Sequence, residues 1–291
     1  MRKGNDNDRD AIKKLMMTQE EESLEQRVFL NHILNVDRIH VADTKEDIQG
    51  FSQINPKILS LHGKNIKASY IVKSFNHGAA IEELLDRAST QEFITLVRTD
   101  TPEQFEPHGF ETVIENFEYN INATSLPEFS VEGIVLDPSD EDLVRVYNQF
   151  TQHFTGFFQR DSAYFASLKK EMHLRNGGIV GLSQEGELVA YALYEAQGTS
   201  IAVRECCYSK SGQMVRLLSF VSRGKSRVLL TASIYEHMDR VLPDIKRIKR
   251  QFILARINDK DLFERLFHIK IISAYSGFNA FGKPLWNRDF Y

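Results

Sequence analysis

Apolar residues recur at helical spacing over residues 9–17, and the polar stretch behind them carries Glu20, Glu21 and Glu22. The period then shortens to two over 37–43, which predicts a strand, with a polar turn at 44–47. A second strand is expected over 51–61, passing through Pro56, and a turn at His62, Gly63 and Lys64 follows. The stretch 68–85 then reads as a short buried strand (Tyr70, Ile71, Val72), a tight turn ending in Gly78, and a helix from Ala79 with Ile81, Leu84 and Leu85 on one face. The β-branched and aromatic run 92–97 predicts a further buried strand; 102–107 is a loop or short helix, and 113–121 alternates as a strand.

After a linker at 126–130 the pattern restarts. A strand is predicted over 131–136, helices over 141–150 and 162–175, and a meander of strands over 179–183, 188–194 and 201–208. A helix over 213–221, a strand over 227–231, a helix over 235–242 stopped by Pro243, a strand over 251–257 and a helix over 260–267 complete the series. The tail 273–291 is rich in Gly, Asn and aromatics. Both halves share one order of elements without a strong sequence repeat, so the expected architecture is α/β (α+β), with domains over 1–127 and 128–250 and a C-terminal segment over 251–291.

Composition narrows the classes of function. The 42% hydrophobic and 26% charged content is that of a soluble globular chain, and a net charge of −4 gives no reason to expect nucleic acid or an anionic membrane. The short basic run Lys246-Arg-Ile-Lys-Arg250 reads as an exposed face in such a chain. No apolar run is long enough to span a bilayer, and the first residues lack the apolar core of a signal peptide. The two cysteines, Cys206 and Cys207, are strand neighbours that point to opposite faces, which disfavours a disulfide, and they lack metal-ligand spacing; a cytoplasmic protein is expected. No serine–histidine–acid spacing, zinc motif, Walker loop or dinucleotide fingerprint occurs.

The chemistry most legible in the residues lies at 68–85. A glycine where a strand hands over to a helix lets backbone approach a ligand, and the free N–H groups of the helix start favour an anion such as a pyrophosphate. Three stretches then resemble the enhanced-intracellular-survival (Eis) branch of the GCN5-related N-acetyltransferases (GNAT). Residues 58–71 are similar to the family's hairpin into its cofactor strand; Gln104-Phe-Glu-Pro-His-Gly-Phe-Glu111 is similar to its tyrosine-x-x-x-glycine-aromatic signature; Phe154-Thr-Gly-Phe-Phe-Gln-Arg160 with Tyr164 resembles the motif of its second domain. Residues 256–259 resemble the strand that opens a third, sterol-carrier-like domain, here cut to a remnant.

The resemblance implies two tandem GNAT-like mixed-sheet domains and transfer of an acetyl group from acetyl-CoA to a primary amine of a small molecule or peptide, with no metal. It implies that Tyr70, Ile71 and Val72 hold the pantetheine, that Lys73, His77, Gly78, Ala79 and Ala80 hold the phosphates, that Thr101 (or Thr99) bonds cofactor or substrate, and that the C-terminal carboxylate of Tyr291 is the base. Assembly into a homo-oligomer is open. Two departures stand out: the loop 73–80 has no arginine, and Phe105 occupies the position of the family's acidic tyrosine, with no proton to give. Both suit the alternative of a non-catalytic binding or assembly module with a lapsed site. Of the remaining residues, His108 reads as a solvated loop histidine, Gly109 and Phe110 as packing, Arg160 and Tyr164 as holding the second domain together or lining a cleft, and Trp286 as a docking anchor for the tail.

Overall fold

The structure is a computed structural model that describes residues 2–19, 23–43, 47–75 and 80–289. By packing, the chain divides into two compact units. The first takes residues up to Ile114, Phe252–Gly282 and Asp289; the second takes Glu115–Gln251 and Lys283–Arg288. This is a different partition from the linear ranges 1–127, 128–250 and 251–291, because the last strand and helices fold back into the first unit.

In chain order the first unit uses β1 (Arg2–Lys3), α1 (Asp8–Gln19), α2 (Leu24–Val28), β2 (Ile39–Asp43), β3 (Ile48–Leu61), β4 (Lys64–Phe75), α3 (Ala80–Gln91) and β5 (Ile94–Thr99). Strand β6 (Glu111–Asn122) leads into the second unit, with β7 (Ile134–Leu136), α4 (Asp140–Thr151), β8 (Phe157–Phe158), α5 (Ser162–Leu174), β9 (Gly177–Gln184), β10 (Glu187–Gln197), β11 (Ser200–Tyr208), α6 (Ser211–Val221) and β12 (Arg227–Ser233). Strand β13 (Arg247–Ile257) leads back, followed by α7 (Lys260–Phe267) and α8 (Ala274–Phe278).

The first unit's sheet runs β1-β2-β3-β4-β5-β13. Only β4 and β5 in it are parallel, as expected for two strands joined through a helix. Helix α3 lays Ile81 and Leu85 on Ile71 of β4, Val97 of β5 and Leu254 of β13. The opposite face receives α1, whose Ile12 and Met16 pack with Phe29, Val41 and Phe51. Pro56 sits beyond the stretch of β3 that β2 covers (Ile48–Gln53), where no ladder to β2 needs its missing N–H.

The second unit repeats the plan: its sheet runs β6-β12-β11-β10-β9-β7, again with one parallel pair, β11 with β12. Met214, Leu217 and Leu218 of α6 close its core over Val180, Ala192, Val203 and Leu230.

Two expectations change. The helix predicted over 235–242 is a pair of 3₁₀ turns, Ile234–Glu236 and Met238–Arg240, separated by His237 at φ 49°. The left-handed residue interrupts the helical hydrogen bonds, and the Glu236 carboxylate accepts the Ser233 N–H at 2.6 Å instead of facing solvent on a helix. The last strand begins four residues earlier than expected and takes up the basic run, whose Lys249 pairs with Glu115 at 2.8 Å and whose Arg250 lies 3.7 Å from Glu118.

Candidate active site

Strands β4 and β5 are joined at Ser69–Thr95, Tyr70–Leu96 and Ile71–Val97 only. Beyond these pairs β4 continues to Phe75 and β5 to Thr99, so the two strands form a fork that opens at their C-terminal ends. The cause lies on the other side of β4. Against β3 the register steps from Ile54–Ile71 to Gln53–Lys73, leaving Val72 as an extra residue. Such a bulge bends and twists its strand and terminates pairing. It falls on the residue immediately after the last β4–β5 pair. Backbone groups on the inner edge of the fork are therefore released from the ladder, and α3 begins five residues after β4 ends.

Around this fork the expected residues take definite places. Tyr70 and Ile71 are buried at its base, Val72 is the bulge, and half-exposed Lys73 follows on the same arm. On the other arm Thr99 accepts the Thr101 N–H at 3.0 Å, and the two hydroxyls lie 3.1 Å apart. Two 3₁₀ turns, Pro102–Gln104 and Glu106–His108, then lead to Gly109. Its φ of +80° is the left-handed conformation that glycine adopts without strain. Phe105 is buried against Phe110 with ring centroids 5.7 Å apart, in the same cluster as Ile71, Val97 and Ile81. It fills space and offers no proton. His108 lies half-buried in the second turn. His77, Gly78, Ala79 and Tyr291 lie outside the described residues, as does the side chain of Ala80.

The tail supplies a contact that the sequence did not reveal. The fully buried Tyr70 hydroxyl donates to the Asp289 carbonyl at 3.1 Å, and burial pushes its phenol well above the ordinary range. The Asp289 carboxylate, itself fully buried, lies 3.9 Å from the Lys57 ammonium on β3. Residue 289 is thus fixed on the base of the fork, on the sheet face opposite α3.

The second unit carries a matching fork. Its parallel pairs end at Val203–Leu230, and the register against β10 steps from Tyr194–Val203 to Leu193–Glu205, leaving Arg204 as the bulge. Here both arms are engaged. On β11 the Glu205 carboxylate accepts two bonds from Arg160, at 2.8 and 2.9 Å, and one from Tyr191 at 2.7 Å. On β12 Ser233 donates to the Leu285 carbonyl of the tail at 3.1 Å. Trp286 is buried among Tyr147, Phe150 and Phe154, and Arg288 pairs with buried Glu236 at 2.8 Å. At the start of α6 the side-chain oxygen of Gln213 accepts the N–H groups of Ser209 and Lys210, both at 3.0 Å, which an anion would otherwise use. Arg160, Tyr164 and Trp286 are therefore packing residues of the second unit, with the Arg160 guanidinium 4.3 Å over the Tyr147 ring and 4.8 Å over Tyr164. Cys206 and Cys207 are free thiols, both buried.

No family model matches the sequence, and no curated protein matches it. Solved structures do. A protein of unknown function from Enterococcus faecalis V583, described as a probable N-acyltransferase, superposes with a TM-score of 0.70 at 15% identity, over 90% of this chain and 74% of its own. A GCN5-related N-acetyltransferase from Anabaena variabilis gives 0.69 at 14% identity, over 88% and 72%. Eis1 from Mycobacterium abscessus gives 0.62 at 12% identity, over 89% and 73%. With a forked parallel pair in each of its units and these structural neighbours, the chain has the tandem fold of the GCN5-related N-acetyltransferases, Eis proteins included.

Proposed function

We propose that the protein is an acetyl-CoA-dependent N-acetyltransferase acting on a primary amine of a small molecule or peptide, and that the fork of the first unit is its acetyl-CoA site. The observation that carries this reading is the bulge at Val72, placed immediately after the last β4–β5 pair and ahead of α3. Backbone groups of Tyr70, Ile71 and Val72 pair with the pantetheine amides. Gly78, Ala79 and Ala80, with Lys73 and His77, hold the diphosphate at the start of α3, where the helix dipole favours negative charge. The second fork, with both arms engaged, has no such role.

In the reaction the amine nitrogen attacks the thioester carbonyl, the C–S bond breaks, the amine proton passes to a base, and the thiolate of coenzyme A takes a proton. The base in this reading is the Tyr291 carboxylate; what supports it is that Asp289, two positions earlier in the chain, is held by Tyr70 at the base of the fork. Water protonates the thiolate, since Phe105 cannot. Binding supplies the alignment that makes these steps fast. The protein acts in the cytoplasm; among the described residues no helix is long and apolar enough to cross a membrane.

A second reading, a non-catalytic module with a lapsed cofactor site, is favoured by Phe105 and the arginine-free loop. Calorimetry separates the two. Acetyl-CoA is expected to bind the intact chain with micromolar or tighter affinity, about −8 kcal/mol. No heat and no thermal shift at millimolar acetyl-CoA would overturn the enzyme reading.

A further inference from the structure

At the other end of α3 from the fork, the first unit has a cavity of about 350 Å³. Its walls carry Lys3 of β1, Arg38 of the 3₁₀ turn Val36–Arg38 that precedes β2, His40 of β2, and Arg87 of α3. Four basic side chains from four elements thus converge on one small space. Lys3 and His40 are direct cross-strand partners in the β1–β2 ladder, an arrangement that repels whenever the imidazole is charged. The Nδ1 atom of His40 is buried and has no hydrogen-bond partner among the described residues. Three acids lie near these cations: Glu83, which is bonded to Arg87 at 2.7 Å, Asp37, which is exposed on the rim, and Glu92, whose carboxyl burial shifts upward from its ordinary value. The floor is apolar, from Ile54 and Leu84.

We propose that this cavity binds a small organic anion, a phosphate ester with a compact apolar or aromatic body, whose head is gripped by Lys3, Arg38 and His40 and whose body rests on Ile54 and Leu84. The site is independent of the acetyl-CoA reading, because it uses no residue of the fork. Desolvation first, then the Arg87 and Lys3 charges, hold the His40 imidazole below its ordinary value, against the smaller pull of Glu83. A bound anion adds counter-charge, so it raises that value, and by linkage it binds more tightly as the pH falls through it.

The test is a titration of the full chain with phenyl phosphate, following the histidine ring resonances by NMR, with inorganic phosphate as the head group alone. The His40 resonance is expected to shift saturably, with its pKa raised by about half a unit or more. Inorganic phosphate is expected to act on the same ring more weakly. Arg38→Ala, a substitution at an exposed position, is expected to weaken binding about tenfold while the melting temperature stays unchanged. Lys3→Gln provides a second variant with the same expectation. An unshifted His40, equal shifts across the histidines, or unchanged affinity in both variants would overturn the proposal.

Discussion

Burial decides what single residues do here. Arg160 and Glu205 form a fully buried, doubly hydrogen-bonded pair, with Tyr191 on the same carboxylate. Removing one partner leaves an uncompensated charge in a dry interior, so Arg160→Met is expected to cost about 3 kcal/mol or more in urea denaturation. Replacing both, with Glu205→Leu added, is expected to recover most of that loss. A single variant within about 1 kcal/mol of the parent would show that water reaches the pair. Gly109 is a milder case. A Cβ there meets nothing nearer than the Arg256 Nε at 3.9 Å, so Gly109→Ala pays only the left-handed backbone strain, about 1 kcal/mol by the same measurement. Phe105→Tyr tests the acid: if its position is the one that protonates the leaving thiolate, turnover of acetyl-CoA with an amine rises, and an unchanged rate removes that position from the mechanism.

At the scale of elements, one extra residue shapes the fork proposed as the acetyl-CoA site. Val72 is the residue that β3 cannot match, and β4 leaves β5 there. Deleting Val72 is expected to let pairing continue toward Phe75 and to lower acetyl-CoA affinity at least tenfold by calorimetry, while a comparable deletion outside the fork leaves affinity unchanged. Unaltered affinity in the deletion variant would dissociate the bulge from cofactor binding. Helix α3 fits the same logic, since its apolar face is fixed on Ile71 and Val97 at the base of the fork and its first residue follows the loop that would hold the diphosphate.

For the whole molecule, the tail and the charge pairs set the response to truncation and to acid. Asp289 is anchored by Tyr70 and Lys57, and removing only residues 290–291 keeps both of its partners in the chain, while its carbonyl remains an amide acceptor if the new end is capped as an amide. This truncation is expected to abolish transfer while acetyl-CoA still binds normally; full turnover in the truncated chain would exclude the terminal carboxylate as base. Acid stability depends in part on Asp8, whose carboxyl is held below the usual range chiefly by its bonds to Arg2, at 2.7 and 2.6 Å. A depressed carboxylate contributes stability that is present above its unfolded value, about 3.9, and is lost as the pH falls through the lower folded value. Asp8→Asn is therefore expected to flatten the decline of melting temperature below about pH 4.

Periodicity alone determined most of the elements: the alternation of 37–43, the meander of 179–208 and the amphipathic α6 each depend on neighbours within a few residues, which is the range over which strand and helix periods are written. The tandem order of elements, and with it the fold, was legible for that reason. The helix expected over 235–242 failed because His237 adopts a left-handed backbone, a tertiary choice that hydrophobic spacing does not record. Tertiary structure alone decided the fork. The fork exists because of a one-residue mismatch between β3 and β4, and a register is a property of two strands together. Likewise Arg160 meets Glu205 across 45 positions and Tyr70 meets Asp289 across 219. His40 shares its cavity with Lys3 and Arg87 only after three elements have packed. Contacts so distant along the chain leave no local pattern, because folding rather than sequence proximity brings their charges together.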